Sequence, residues 1–391
     1  MGVQLMAEYK TIEDLDLAGK KVLVRLDLNV PVKEGKVTDT TRIDASLRTI
    51  QYTIENNGIA VLCSHLGRPG GKPNPDLSLK PAADVLAEKL GKQVKLAPDC
   101  IGKQAEELAN NSEPGEIVLL ENLRFHAGEE ENNADFAGSL AKIADAYVND
   151  AFGTAHRAHA STYGVPVEMK KQGKDVAAGF LMAKELKIWQ PIVSGKGYSV
   201  AVIGGAKLKE KMKAVKKFSK KFDRIILGGV VSNVFMKAAG YDIGDSKYLE
   251  KGKDYTPDAE ELLGPKNIIL PSRVIAATTD FKKEGEKNPG QGIGKGHIAA
   301  DVIPSREDTD AIKKAERIIW FGPMGAYEFG FKEGSLAVVE AINQSKGYAV
   351  IGGGDLAAAA SGVKAKISTG GGASIQYVTA GKLEALEALK A

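Results

Sequence analysis

Arginines, histidines and glycine clusters recur in this chain at one kind of place, directly after a short apolar run. IAVLC (59–63) is followed by SHLGRP, EIVLL (116–120) by ENLRFH, and DAYV (145–148) by NDAFGTAHRAH. Further on, SVAVI (199–203) leads into GGAK, RIIL (224–227) into GGVVSN and RIIWF (317–321) into GPMG. YAVI (348–351) leads into GGGD, and KIS (366–368) into TGGGAS. Guanidinium forks match the geometry of carboxylate and phosphate. Glycine-rich helix starts offer an anion bare backbone N–H groups and a positive dipole end. The chemistry that both imply is the handling of small phosphorylated acids.

The first half collects the cations. In RLDLNVP, Arg25, Asp27 and Asn29 alternate with Leu26, Leu28 and Val30, so the polar set shares one strand face. Asp27 and Asn29 near the strand end could hold hydroxyls. Arg42, His65, Arg68, Arg124 and Arg157 each lie in or just after a loop that can face the same mouth. One arginine alone is ordinarily a surface residue; the set at successive strand ends favours a binding patch. His126, His156 and His159 show no metal-ligand spacing and read as hydrogen-bonded structural histidines.

The second half collects the glycines. SVAVIGGAKLKEK (199–211) reads as a strand, a Gly204-Gly205 turn open to an anion, and a helix start with unpaired N–H groups. Lys207 and Lys211 share one helix face. Gly353, Gly354 and Asp355 open one helix and Gly370, Gly371 and Gly372 another; Asp355 could reach a Mg²⁺ held by phosphates. Neither G-x-x-x-x-G-K-[ST] nor G-x-G-x-x-G occurs. The lysine run 207–221 carries Met212, Val215 and Phe218 as an apolar stripe and reads as a solvated amphipathic helix.

The elements that must position these residues are short β-branched runs separated by helix-length segments, the pattern of βαβ units and parallel sheets. KVLVRL (21–26), VKL (94–96) and NIIL (267–270) complete the runs, giving one sheet in each half. The segment 176–190 suits a connecting helix, and 284–296, rich in glycine, a mobile polar loop. At 391 residues, 43% apolar and 26% charged, the chain has material for two cores. A net charge of +3 gives no indication of nucleic acid or membrane as a partner. Cys63 and Cys100 form no disulfide framework and fit a reducing compartment. No apolar run is long enough to span a bilayer and MGVQLMAEYK is no signal peptide, so the expected location is cytoplasmic.

Eight blocks in order make the chain resemble phosphoglycerate kinases over essentially its whole length. They are VRLDLNVPV…GKVTDTTRIDASLRTI, SHLGRP, ENLRFHAGEE, NDAFGTAHRAHAS, VIGGAKLKEK, GPMGAYEF, IGGGDLAAAA and ISTGGGAS. The resemblance implies an α/β fold of two doubly wound, Rossmann-like parallel-sheet domains joined by a helix and bending at a hinge. It places the substrate domain at 1–175, the connecting helix at 176–190 and the nucleotide domain at 191–375. The tail, about 376–391, would return to the first domain. It implies reversible, Mg²⁺-dependent phosphoryl transfer between ATP and the carboxylate of 3-phosphoglycerate, giving 1,3-bisphosphoglycerate and ADP, in a glycolytic and gluconeogenic monomer.

Carried over by position, Asp27 and Asn29 would meet the glycerate hydroxyl region, and His65, Arg68, Arg124 and Arg157 form the basic patch. Arg42 would neutralise charge at the reacting carboxylate, and Lys207 accompany the transferring phosphoryl group. Lys211 would contact phosphate, Glu328 the ribose, and Gly353, Gly354, Asp355 and Leu356 form the phosphate and metal loop. Gly370 to Gly372 would supply backbone donors, Gly371 among the catalytic groups. Phe321, Leu356 and Val230 stand where the family has asparagine, a hydroxyl residue and glycine, so an altered nucleotide pocket is expected. A dehydrogenase would carry the dinucleotide fingerprint, and a silent binding protein would have lost some of Arg42, Lys207 and Asp355. Neither holds.

Overall fold

The computed structural model describes residues 9–264, 267–353, 356 and 359–390. The chain divides into two compact units, Met1–Lys187 with Lys382–Ala391, and Ile188–Gly381.

The first unit is built on six strands: β1 (Lys21–Arg25), β2 (Ile59–Cys63), β3 (Val94–Leu96), β4 (Ile117–Leu119), β5 (Ala146–Asn149) and β6 (Asp175–Ala178). They pair in the order β3-β4-β2-β1-β5-β6, all parallel. Val22, Val24, Ala60, Leu62, Ile117, Leu119 and Val148 are fully buried, as strands covered on both faces must be. From β1 the strands run outward as β2, β4 and β3 on one side and as β5 and β6 on the other. The switch therefore lies between β1 and β5, where open α/β sheets receive ligands. Two helices flank the future site: α1 (Thr41–Glu55) and the short α2 (Ala127–Glu130).

The second unit is also built on six strands, β7 (Ser199–Ile203), β8 (Arg224–Leu227), β9 (Ile268–Ile269), β13 (Arg317–Phe321), β14 (Tyr348–Gly352) and β15 (Lys366–Ser368). Their order is β9-β8-β7-β13-β14-β15, again all parallel, with the switch between β7 and β13. An antiparallel sheet of β10 (Val274–Thr278), β11 (Lys283–Lys287) and β12 (His297–Val302) is added, in the order β11-β10-β12. After the helix α3 (Phe180–Ser194), this unit carries α4 (Leu208–Phe218), α5 (Gly229–Ala238), α6 (Glu333–Gln344) and α7 (Gly372–Ala380).

Three expectations change. The segment 176–190 begins as strand, because Asp175–Ala178 pairs along β5; alanine-rich VAA reads equally well as helix. Residues 284–287, expected as part of the 284–296 loop, belong to the edge strand Lys283–Lys287, whose polar side chains are held by neighbours. Arg273 grips Glu286 at 2.6 Å, Lys283 pairs with Glu333, and His297 lies 3.0 Å from Glu284. Residues 376–380 stay in α7 of the second unit, and the tail joins the first unit from Lys382. There Ala385 N–H donates to Ala155 O at 3.0 Å and Lys170 Nζ to Lys390 O at 2.7 Å.

The aromatic stack beneath β13 anchors the second core. Trp189 is fully buried, its ring 5.8 Å from and parallel to Phe321, and its Nε1–H donates to Ser368 Oγ at 2.9 Å. Phe218 stacks on the same ring at 6.0 Å. Truncating a buried aromatic costs about 3–5 kcal/mol. Trp189→Ala should lower the urea midpoint of this unit correspondingly, read by the fluorescence of the remaining Trp320; an unchanged midpoint would contradict the packing.

Candidate active site

In the first unit, β1 delivers three polar residues to the switch point while Leu26 and Leu28 fix it in the core. Asp27 receives Arg42 Nη1 at 2.9 and 3.0 Å on its two oxygens and the Asn29 N–H at 3.3 Å. Arg42, in the first turn of α1, keeps 47% of its side chain exposed, so the rest of its guanidinium faces solvent. Asn29 Oδ1 accepts the Gly67 N–H at 2.9 Å and so clamps the loop after β2. Its NH₂ is what remains to meet a hydroxyl. Ser64 ties the same loop to β1, donating to Leu26 O at 2.8 Å and accepting from Leu28 N at 2.9 Å.

His65 is almost entirely buried within this frame. Burial holds its pKa well below the ordinary histidine range, and Arg25, Arg124, Arg157 and Arg42 push in the same direction. Arg25 Nη2 lies 3.4 Å from His65 Nδ1. A guanidinium only donates, so Nδ1 accepts and the neutral ring carries its proton on Nε2. Arg124 is 3% exposed; its Nη1 donates to Gly67 O at 2.8 Å and its Nη2 lies 3.1 Å from Glu130. Its Nε has no hydrogen-bond partner among the described residues, which fits an anion as the missing acceptor. Arg157 is half-buried and contacts His156 at 3.3 Å. Arg68 stands exposed on the loop after β2.

Sequence reasoning missed the group beneath the patch. Arg25 is fully buried: its Nε donates to Ser161 Oγ at 2.8 Å and its Nη1 to Leu26 O. Ser161 Oγ in turn donates to Glu129 Oε1 at 2.6 Å, and Ser161 N to Oε2 at 2.9 Å. Glu129 is also fully buried. Nothing in the run Glu129, Glu130, Glu131 marks which of the three goes inside. His159 lies 3.8 Å from Glu129, and its pKa is pushed down to about 4 by burial and then by Arg124, Arg25 and Arg157. His126 pairs with Asp99 at 2.7 Å.

In the second unit the glycines divide into two kinds. Gly204 N–H donates to Phe321 O at 2.8 Å, Gly205 N–H to Pro323 O at 2.9 Å, and Val230 N–H to Gly205 O at 3.1 Å. A Cβ on Gly204 would stand 2.1 Å from Pro323 O, and one on Gly322 2.4 Å from Gly204 O. The Gly204-Gly205 turn therefore packs loops together at the β7/β13 switch; its N–H groups are not offered to an anion as expected. At Gly353 (φ +104°) and Gly371 (φ +53°) an added Cβ would meet nothing within 4 Å. Those two positions leave space for a ligand beside the backbone, Gly371 as the N-cap of α7, although the Gly353 N–H itself donates to Ser368 O at 3.2 Å. Gly370 N–H is taken by Ser368 Oγ at 3.2 Å, and Gly354 and Asp355 lie outside the described residues.

Lys207 is exposed at the N-cap of α4; Lys211, one turn on, places Nζ 5.3 Å over the Phe321 ring. Glu328 is exposed in the turn Tyr327–Phe329. Two of the three family departures are core residues and not pocket residues. Phe321 is 2% exposed in the aromatic stack, and Leu356 is fully buried among Trp320, Val338 and Ile351, its N–H given to Gly353 O at 3.2 Å. Apolar side chains at those strand ends pack inward because the core there is continuous. Only Val230, half-buried in the first turn of α5, remains placed to alter a pocket.

The unfolded chain binds a proton on histidine near pH 6.5, and the folded chain resists it at His65 and His159. Their contribution to stability is therefore full above about 6.5 and is lost as pH falls, for His159 down to about 4. The ring nitrogens of His65 should show the neutral Nε2–H form by ¹⁵N NMR throughout about pH 6–8. Titration near the ordinary value would refute the arginine enclosure.

The family model for phosphoglycerate kinase matches residues 12–382. A relative from Clostridium botulinum (strain Alaska E43), named phosphoglycerate kinase, is 42% identical over 395 residues, covering 97% of this chain and 98% of its own. One from Koribacter versatilis, of the same name, is 42% identical over 401 residues with the same coverage. The solved phosphoglycerate kinases of Coxiella burnetii and Pyrococcus horikoshii superpose with TM-scores of 0.80 and 0.81 at 34% and 32% identity. Each covers 97% of this chain and 98% of its own. The chain therefore belongs to the phosphoglycerate kinase family, which transfers a phosphoryl group reversibly between Mg-ATP and the carboxylate of 3-phosphoglycerate.

Proposed function

We propose that the two substrates of this phosphoglycerate kinase reaction are divided between the two units. The first holds 3-phosphoglycerate through Arg42, His65, Arg68, Arg124 and Arg157, with Asp27 and Asn29 at the hydroxyl. The observation that carries this assignment is the buried Arg124, whose Nε has no partner among the described residues, beside a histidine that burial and then four guanidiniums keep neutral. Such a site accepts several negative charges and offers one neutral Nε2–H donor, the pattern of a phosphorylated carboxylate.

The second unit holds the nucleotide through Lys211, Glu328, the uncrowded approach at Gly353 and Gly371, and the neighbouring Gly354 and Asp355. Mg²⁺ arrives with the nucleotide phosphates, whose charge it neutralises, and Asp355 is the residue that would meet it. The acceptor carboxylate is ionised at neutral pH, so it attacks phosphorus without a general base and ADP leaves. What the protein supplies is positioning and charge stabilisation. Arg42 neutralises the attacking carboxylate, and Lys207, exposed on a mobile four-carbon stem, follows the phosphoryl group. Direct transfer needs both substrates in contact and water excluded, which calls for hinge closure.

The enzyme is further proposed to act as a cytoplasmic monomer. Its two cysteines are free and buried, and no helix among the described residues is long and apolar enough to cross a membrane.

A coupled assay with 3-phosphoglycerate, ATP and Mg²⁺, with GTP alongside, tests the reaction and its donor. Lys207→Ala should lower kcat by at least about 10²–10³, the effect of losing one transition-state stabiliser, with little change in KM for 3-phosphoglycerate. A variant within tenfold of the parent would remove Lys207 from this role. Small-angle scattering should show compaction only with both substrates present; an unchanged radius of gyration would argue against closure.

A further inference from the structure

Away from the arginines, Asp99, Cys100 and His126 bring one oxygen, one sulfur and one nitrogen to within 4.8 Å of one another. We propose that these three residues form a tetrahedral site for a thiophilic divalent cation, Zn²⁺ by its chemistry, with water in the fourth position.

The donor set selects the cation. Mg²⁺ and Ca²⁺ require six or more oxygens, and here there is one carboxylate. Thiolate, imidazole and carboxylate together suit zinc, which takes four ligands and leaves a solvent position when the protein supplies three. Two of the three groups already meet, and a cation would enter by replacing the hydrogen bond between them. Asp99 Oδ1 accepts the Cys100 N–H at 2.6 Å and lies 2.7 Å from His126 Nε2. The His126 ring is steadied by Phe136, with centroids 5.4 Å apart. Asp99 and His126 keep 44% and 32% of their side chains exposed, whereas Cys100 is fully buried. A cation therefore reaches the site from solvent and finds the sulfur at its floor.

A divalent charge between sulfur and carboxylate favours the thiolate form of Cys100 as ligand. On binding, the thiol proton passes to solvent and the imidazole proton moves from Nε2 to Nδ1 through solvent. Metal–sulfur, metal–nitrogen and metal–oxygen bonds form, with no change of oxidation state. His126 lies two residues beyond Arg124 and begins α2, which carries Glu129 and Glu130. The cation would thus tie the 98–102 loop to the segment supporting the acceptor patch.

Titrating the full-length, nucleotide-free protein with Co²⁺ tests this. One equivalent should bind with a thiolate-to-cobalt charge-transfer band and tetrahedral d–d absorption, both displaced by Zn²⁺. The band should vanish in Cys100→Ala and persist in Cys63→Ala. His126→Gln should weaken Co²⁺ by at least the ~10–100-fold that loss of an outer-shell partner costs. Zn²⁺ should raise the Tm of the parent and leave that of Cys100→Ala unmoved. Should Cys100→Ala fail to fold, the parent spectrum still decides. Absence of a thiolate band in the parent, or its survival without Cys100, overturns the proposal.

Discussion

The first unit depends on one buried charge. Arg25 sits at the end of the central strand with no access to water, where an isolated guanidinium would cost several kcal/mol even after relaxation. Glu129 supplies the opposite charge across a single hydroxyl, that of Ser161, in the π-helical turn Ala160–Gly164. Strand, short helix and turn therefore have to assemble together, since removing one partner leaves a buried ion uncompensated. On its other side Arg25 faces His65, and this sets which nitrogen of that ring bears the proton. The arginine patch is arranged from below, by a residue whose own charge never reaches solvent.

The second unit meets a different constraint at the equivalent place. Its loops after β7, β8 and β13 pass so close that a methyl group would not fit between several of them, and their N–H groups bond one another. Glycine there permits backbone-to-backbone packing. The sterically open glycines lie further along the sheet, at Gly353 and Gly371, where an added methyl group would meet nothing within 4 Å. Two six-stranded parallel sheets that differ in the order of their outer strands thus use their switch points differently, one for side-chain cations and one for a compact platform beside sterically open glycines.

The parallel strands were legible because β-branched runs buried on both faces leave a local signature, and eleven of the twelve strands in the two large sheets were read from it. The twelfth, Asp175–Ala178, merges in the string with the helical pattern that follows it and is a strand because β5 offers it an edge. The antiparallel sheet escaped for a related reason. Val274–Thr278 is alanine-rich and Lys283–Lys287 polar throughout, so neither shows alternation, and cross-strand pairing and ion pairs decide their form.

The sequence by itself determined the residue types at the strand ends, the α/β class and the family, because these follow from local periodicity and from the order of short motifs. It did not determine which way a side chain faces. Phe321 and Leu356 look like pocket residues in a string and are core residues in space, since burial is settled by what the opposite helix brings. Arg25 looks like one of a polar row and lies beneath it, because its partners come from 104 and 136 positions away, at Glu129 and Ser161. A buried charge is tolerated only where distant segments deliver its counter-charge, and that delivery exists only in the tertiary structure.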